Sequence, residues 1–128
     1  MLDSLILIVE DDANSRKLLR DVLSVTGYRT LESDTAEEGL RLAFEHRPDL
    51  VLMDIRLPGM SGMDALKLLR NDNNMRNVPV VAVTASAMSR NTVDLLHAGF
   101  DALERKPISV SALLNTVRDL LARRHALQ

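Results

Sequence analysis

The stretch PDLVLMDIRLPGMSGMDAL, residues 48–66, holds one repeat of the fold. Residues 49–53 bring Leu50, Val51, Leu52 and Met53 together with no polar residue between them, which is the pattern of a strand buried on both faces. Asp54 stands at the end of that strand, and a Pro58-Gly59 turn follows. Residues 62–70 then place Met63, Leu66 and Leu69 at helical spacing. A strand, a turn and a helix make a βα unit, and a strand covered on both faces needs helices on both sides of its sheet.

The unit recurs along the chain. Apolar runs at Leu5–Val9 and 78–83, with weaker ones at 28–32 and 102–104, predict four more strands. In the first helix Leu19, Val22, Leu23 and Thr26 share a face, and Gly27 stands at the C-cap. The second opens on a capping box, Thr35 with Glu38, carries Ala36, Leu40, Ala43 and Phe44 inward, and ends at Pro48. The fourth, residues 89–98, repeats Val93, Leu96 and His97, with Gly99 as its stop. The fifth follows Pro107 with Val110, Leu113, Leu114, Val117, Leu120 and Leu121. Five βα units predict an α/β fold with a doubly wound, five-stranded parallel sheet and helices on both faces, and residues 1–128 are read as one domain.

Composition narrows the function. With 46% apolar residues, 27% charged residues and a net charge of −2, neither a nucleic-acid nor a membrane partner is expected. Three aromatic residues, Tyr28, Phe44 and Phe100, give no platform for stacked bases. The absence of cysteine removes disulfides and thiolate chemistry. The first apolar run is too short for a span or a secretion signal, so a cytoplasmic location is expected. His46, His97 and His125 lie far apart and are read as surface or packing residues, not zinc ligands. Met60, Met63 and Met88 are read as fillers.

Ligands of such sheets bind beyond the C-terminal strand ends. The first strand runs into Glu10, Asp11 and Asp12, the third into Asp54, the fourth into Thr84, and Lys106 follows the fifth. Clustered carboxylates need a cation or a proton at neutral pH, and Mg²⁺ takes one or two carboxylates while keeping several waters. Asp11 and Asp54 are the expected ligands. An EF-hand-like loop for structural Ca²⁺ is absent. Asp12 is read as the N-cap of the first helix, and Glu10 as an outer-sphere group or a partner of Lys106. A carboxylate oxygen can attack phosphorus, with Mg²⁺ and the Lys106 ammonium offsetting the charge and the Thr84 hydroxyl binding the arriving group. Such a phosphate can reorder the Thr84 loop, which makes a switch.

Taken together, LILIVEDDANSRKLL, PDLVLMDIRLPGMSGMDAL, VPVVAVTASAM and the Lys106-Pro107-Ile108 step strongly resemble a bacterial response-regulator receiver domain over essentially the full length. The resemblance implies the flavodoxin-like, CheY-like form of the fold. It implies Asp54 as phosphoacceptor, Glu10 and Asp11 as the acidic pair, Thr84 as switch hydroxyl, Lys106 as phosphate-binding lysine and the Arg56 backbone carbonyl as a metal ligand. VTASAM with KPIS is similar to stand-alone regulators of the DivK type and to receivers joined to hybrid kinases. A cis peptide before Pro107 is also implied.

Partners implied are a histidine kinase or histidine phosphotransfer protein and a downstream protein target, with a monomer or weak homodimer as the state. The fourth helix, fifth strand and fifth helix form the expected output face. The first helix, with Asn14, Ser15, Lys17 and Leu18, is a second docking surface. Arg56 and Ser86 are expected near the path of attacking water. Many receivers carry Tyr or Phe where this chain has Leu103, so signalling through an aromatic rotamer gives way to shifts of segment 85–100 or a smaller Leu103 movement. No output domain fits after the fifth helix, so either signalling by protein contact or a longer parent chain is expected.

Rival readings are weaker. A haloacid-dehalogenase-type phosphatase needs a second carboxylate two residues after the first, and Arg56 stands there. A pseudo-receiver would lack part of the acidic pocket. An FMN carrier would meet Glu10, Asp11 and Asp12 where it needs hydroxyls and bare amides. The expectation is a phosphoacceptor switch, not an enzyme that turns over a free substrate.

Overall fold

Successive residues of each strand point to opposite faces of a sheet, so an unbroken apolar run feeds two separate cores. The computed structural model describes residues 3–85 and 89–126; Ser86, Met88 and the side chain of His125 lie outside that description. The elements run β1 (Leu5–Val9), α1 (Ala13–Thr26), β2 (Arg29–Ser33), α2 (Ala36–His46), β3 (Leu50–Asp54), α3 (Gly62–Arg70), β4 (Val80–Thr84), α4 (Ser89–Ala98), β5 (Ala102–Arg105) and α5 (Val110–Ala126). All strand pairs are parallel, in the order β2-β1-β3-β4-β5. The expected doubly wound fold is therefore present.

Ile6, Ile8, Leu50, Leu52, Val81 and Val83 pack on one side against Leu19 and Leu23 of α1 and Leu113, Val117 and Leu121 of α5. Leu7, Val9, Val51, Met53, Val80 and Ala82 pack on the other, against α2, α3 and Leu95 of α4. Each fully buried side chain of this size contributes roughly 1.5–3 kcal/mol, which makes the sheet the rigid part of the molecule.

Several boundaries differ from the sequence reading. β3 starts at Leu50, the first residue paired with β1; Asp49 just before it bonds Leu5 both ways, its amide donating to the Leu5 carbonyl at 2.7 Å and its carboxylate accepting the Leu5 amide at 2.8 Å. β4 starts at Val80 because Pro79 has no N–H to give. β2 starts at Arg29 because the Tyr28 amide closes α1 by donating to the Leu23 carbonyl at 3.1 Å. β2, β3, β4 and β5 each run one residue further than read. α2 stops at His46, with Arg47 in the left-handed region at φ 49°, before Pro48 is reached.

The capping box is half made. Thr35 Oγ1 accepts the Glu38 amide at 3.2 Å, but Glu38 turns its carboxylate to Arg41 and the Thr35 amide goes to Ser33 Oγ. Three helices also expose residues expected on their inward faces. Phe44 is 42% exposed: Gly39 lets α2 lie so close to Val9 that small residues fill the contact and the ring stays at the rim. Val93 and Leu96 of α4 are exposed and Leu95 is buried, so the helix is rotated from the phase its repeat gave. Val110 likewise lies on the outside of α5.

β1 leads to β2 on one side while β3 leads to β4 on the other, which opens a crevice beyond the C-terminal ends of β1 and β3. The floor of that crevice depends on Gly62. A Cβ there would lie 2.5 Å from the Asp54 carbonyl oxygen and 3.0 Å from Ile55 Cα, both backbone. Gly62→Ala is expected to lower stability by about 1–3 kcal/mol, the usual cost of overpacking, and to displace Asp54. Urea unfolding and the Asp54 amide shift are the measurements; wild-type values in both would refute the close approach.

Candidate functional site

Strand register brings the site together before any side chain is considered. Val9 pairs with Met53, Asp54 with Val83 and Thr84 with Arg105, so Glu10, Asp54, Thr84 and Lys106 end up on one rim. The Lys106 amide donates to the Thr84 carbonyl at 2.8 Å, extending the ladder one step past β5. The Lys106-Pro107 bond is cis, as the resemblance implied.

Within the rim Glu10, Asp54 and Thr84 are buried, at 1%, 5% and 4% exposure, while Asp11 and Arg56 are exposed. Asp54 Oδ1 accepts the Arg56 amide at 2.9 Å, and Asp54 Oδ2 accepts from Lys106 Nζ at 3.2 Å. Asp54 therefore also makes the side-chain-to-backbone turn contact typical of aspartate at a strand exit. Lys106 Nζ is closer to Glu10 Oε1, at 2.6 Å. One ammonium holds two carboxylates.

Asp12 separates from this group and caps α1: its Oδ2 accepts the Ser15 amide at 2.8 Å. That bond holds its carboxyl below the usual aspartate range. Ser61 caps α3 in the same way, accepting the Asp64 amide at 3.2 Å and fixing the loop that leaves Asp54.

Burial pushes the Glu10 carboxyl up most strongly, and the neighbouring Asp54 adds to it. Lys106 and the Asp12 amide pull back, leaving Glu10 at about 7. For Lys106, burial pulls its pKa down, but Glu10 and Asp54 outweigh that and hold it above the ordinary lysine value. These shifts describe a cluster with more negative charge than one lysine neutralises.

Glu10 Oε1, although an ion-pair neighbour of Lys106, is buried without an aligned hydrogen bond. Glu10, Asp11 and Asp54 each offer an oxygen within 4.8 Å of the others. An under-satisfied buried carboxylate oxygen beside two further carboxylates, all hard donors, fits a small divalent cation that keeps some of its water. Leu103 packs, partly buried, on the α2–α4 side of the sheet. Two contributors escaped the sequence reading. Gly62 reads only as a helix start, and Arg16, whose Nη1 donates to the Glu10 carbonyl at 2.9 Å, carries no motif signal between Ser15 and Lys17.

Residues 6–118 match the family described as the response regulator receiver domain. The chain is 43% identical over 116 residues to the polar-differentiation response regulator DivK of Brucella anthropi, covering 91% of this chain and 94% of that one. Among solved structures, the receiver domain of a sensor histidine kinase from Pseudomonas aeruginosa superimposes with a TM-score of 0.87 at 30% identity, over 94% of this chain and 98% of that chain. That protein has a magnesium ion coordinated in its active-site cleft. The signal receiver domain of a signal transduction histidine kinase from Syntrophus aciditrophicus gives 0.85 at 32% identity, over 93% and 90% of the two chains.

The position of Glu10 has a consequence for stability. Its folded pKa, about 7, lies above the unfolded value, so its contribution is full below the ordinary glutamate range and is lost as pH rises through about 7. Unfolding in a chelator is expected to show that loss, and Glu10→Gln is expected to flatten it. A saturating divalent cation should flatten it too, by supporting the ionised form. An unchanged slope in Glu10→Gln would assign the step to another group.

Proposed function

Because this chain belongs to the response regulator receiver domain family of two-component signalling, we propose that Asp54 is its phosphoacceptor and that phosphorylation switches a protein-binding surface. The observation that carries this reading is the shared ammonium: Lys106 is held between Glu10 and Asp54, ready to follow negative charge. In the transfer, an Asp54 carboxylate oxygen bonds to phosphorus as the bond from phosphorus to the donor's histidine nitrogen breaks. The nitrogen keeps the electron pair. Hydrolysis reverses the load: water oxygen bonds to phosphorus as the bond from phosphorus to the Asp54 oxygen breaks, inorganic phosphate leaves, and Asp54 is again a carboxylate. The chain turns over no other substrate and is read as a switch.

Mg²⁺ is the cation proposed, held by Asp11, Asp54 and the backbone carbonyl of Arg56, with Glu10 in the outer sphere; it supplies charge neutralisation for the phosphoryl oxygens. Lys106 neutralises the opposite side, and Thr84, buried at the end of β4, donates to the incoming phosphoryl group. The donor is a histidine kinase or phosphotransfer protein docking on α1, where Leu18 and Val25 are exposed beside Lys17. The output face is α4, β5 and α5, where Val93 and Leu96 of α4 are exposed. We place the protein in the cytoplasm, as a monomer or weak homodimer; no helix among the described residues is long and apolar enough to cross a membrane.

Acetyl phosphate with Mg²⁺ is expected to add one phosphoryl mass to the wild type and none to Asp54→Asn. Equal labelling of the two by intact-mass measurement would remove Asp54 from its role. Lys106→Ala is expected to accept the phosphoryl group weakly and to lose the accompanying amide-shift changes in β5 and α4. A full wild-type shift response in that variant would show that Lys106 does not relay the charge.

A further inference from the structure

We infer that Arg16, aimed by Glu32, is a positioning residue for the acidic turn after β1 and sets how tightly that turn takes a divalent cation. The inference rests on the reading of Glu10, Asp11 and Asp54 as a cation site. Arg16 projects from the first turn of α1, and its Nη1 donates to the main-chain carbonyl of Glu10 at 2.9 Å. Its Nε lies 3.6 Å from Glu32 Oε1. Glu32 sits on β2, paired with Ile8 of β1, so the guanidinium joins the start of α1 to two neighbouring strands. Arg20 holds the same carboxylate from the next turn, its Nη1 lying 3.3 Å from both oxygens.

Asp11 needs such support. Its carboxylate is exposed and has no hydrogen bond or ion pair to any described residue, so the backbone of residues 10–12 alone places it. The Glu10 amide is tied to the Ser33 carbonyl at 2.9 Å, and the Asp12 amide to Glu10 Oε2 at 3.1 Å. Between these lies the Glu10-Asp11 peptide, and its plane sets the φ of Asp11. The carbonyl of that peptide is the atom Arg16 holds. With the guanidinium removed the peptide can rotate, and the Asp11 carboxylate moves with it.

Charge and positioning predict opposite results, which makes the idea testable. A guanidinium near a cation site repels the cation, so loss of its charge alone would tighten binding. Loss of an outer-shell partner weakens metal affinity, commonly by about 10–100-fold. Lysine keeps the charge but lacks the planar fork that reaches the Glu10 carbonyl and Glu32 together.

The experiment is calorimetric titration of the unphosphorylated full chain with MgCl₂ at fixed pH and ionic strength. Wild type is compared with Arg16→Gln, Arg16→Lys, Glu32→Gln and Asp11→Asn, each checked for folding by urea unfolding. Hydrogen exchange of the Asp12 amide, measured in chelator, reports the turn without any metal. Both Arg16 variants are expected to bind Mg²⁺ about tenfold more weakly and to exchange the Asp12 amide faster, with Glu32→Gln between them and wild type. Wild-type or tighter binding in Arg16→Gln, with binding lost in Asp11→Asn, overturns the role of Arg16 alone. Equal Mg²⁺ affinity in wild type and Asp11→Asn overturns the cation site and this inference with it. Where Arg16→Gln fails to fold, Glu32→Gln, which leaves Arg16 in place, decides the question by the same two measurements.

Discussion

Two carboxylates at the ends of neighbouring strands, sharing one lysine, are the constraint on which the rest of this molecule turns. Glu10 and Asp54 are both buried, and Lys106 lies 2.6 Å from one and 3.2 Å from the other. A single ammonium leaves the cluster with excess negative charge in a place that water reaches poorly, an arrangement unfavourable in itself. The apolar sheet makes it tolerable. Ile6, Ile8, Leu50, Leu52, Val81 and Val83, each no more than 1% exposed, hold the three central strands in register however strongly their ends repel. Stability is concentrated in the middle of the strands, and the electrostatic tension at their C-terminal tips is what a cation or a phosphoryl group can change.

That division explains which parts were legible in the sequence. Runs such as LVLM at 50–53 and VVAV at 80–83 declare strands because burial on both faces leaves no other pattern. Once five βα units are counted, the strand ends fall on one rim, and Glu10, Asp54, Thr84 and Lys106 meet there through register alone. Helix phase was less readable. Val93, Leu96 and His97 repeat at helical spacing, yet α4 buries Leu95, since a repeat shows which residues share a face without showing which face meets the sheet. Phe44 misled for a related reason: Gly39 admits Val9 so closely that an aromatic ring has no place beneath α2. Arg16 was invisible because its partner is a main-chain carbonyl, and any residue carries one.

The far end of the sheet is built differently. Arg70, closing α3, donates to the carbonyls of Arg76, Val78 and Gly99 and to the Asp101 carboxylate, at 2.7–3.0 Å. Asp101 in turn accepts the Val80 amide at 2.8 Å. The C-terminal end of α4 is thereby tied, through Gly99 and Asp101, to α3 and to the start of β4. Here the Arg70 guanidinium is matched by the Asp101 carboxylate and three carbonyls, so the Arg70 knot is satisfied within itself. The same α/β scaffold thus carries a saturated polar knot at one rim and an under-neutralised acidic cluster at the other.

From this asymmetry follows how a charge at Asp54 can be felt at a distance. Lys106 belongs to the chain leaving β5, and the residues before it alternate across the sheet: Leu103 packs on the α2–α4 side, while Glu104 is buried toward α5 and accepts from Thr116 Oγ1 at 2.9 Å. The Glu104 bond resists sliding of β5 along α5. Leu103 has no polar tie on its side of the sheet, only van der Waals contact, and an aliphatic chain can change rotamer there without breaking a hydrogen bond. Under the proposed phosphorylation of Asp54, with the C-terminal end of α4 tied to Arg70, displacement of Lys106 would load Leu103, which packs on the α4 side of β5. Under that proposal the unequal anchoring of the two faces of β5 would give the response a direction without an aromatic side chain at this position.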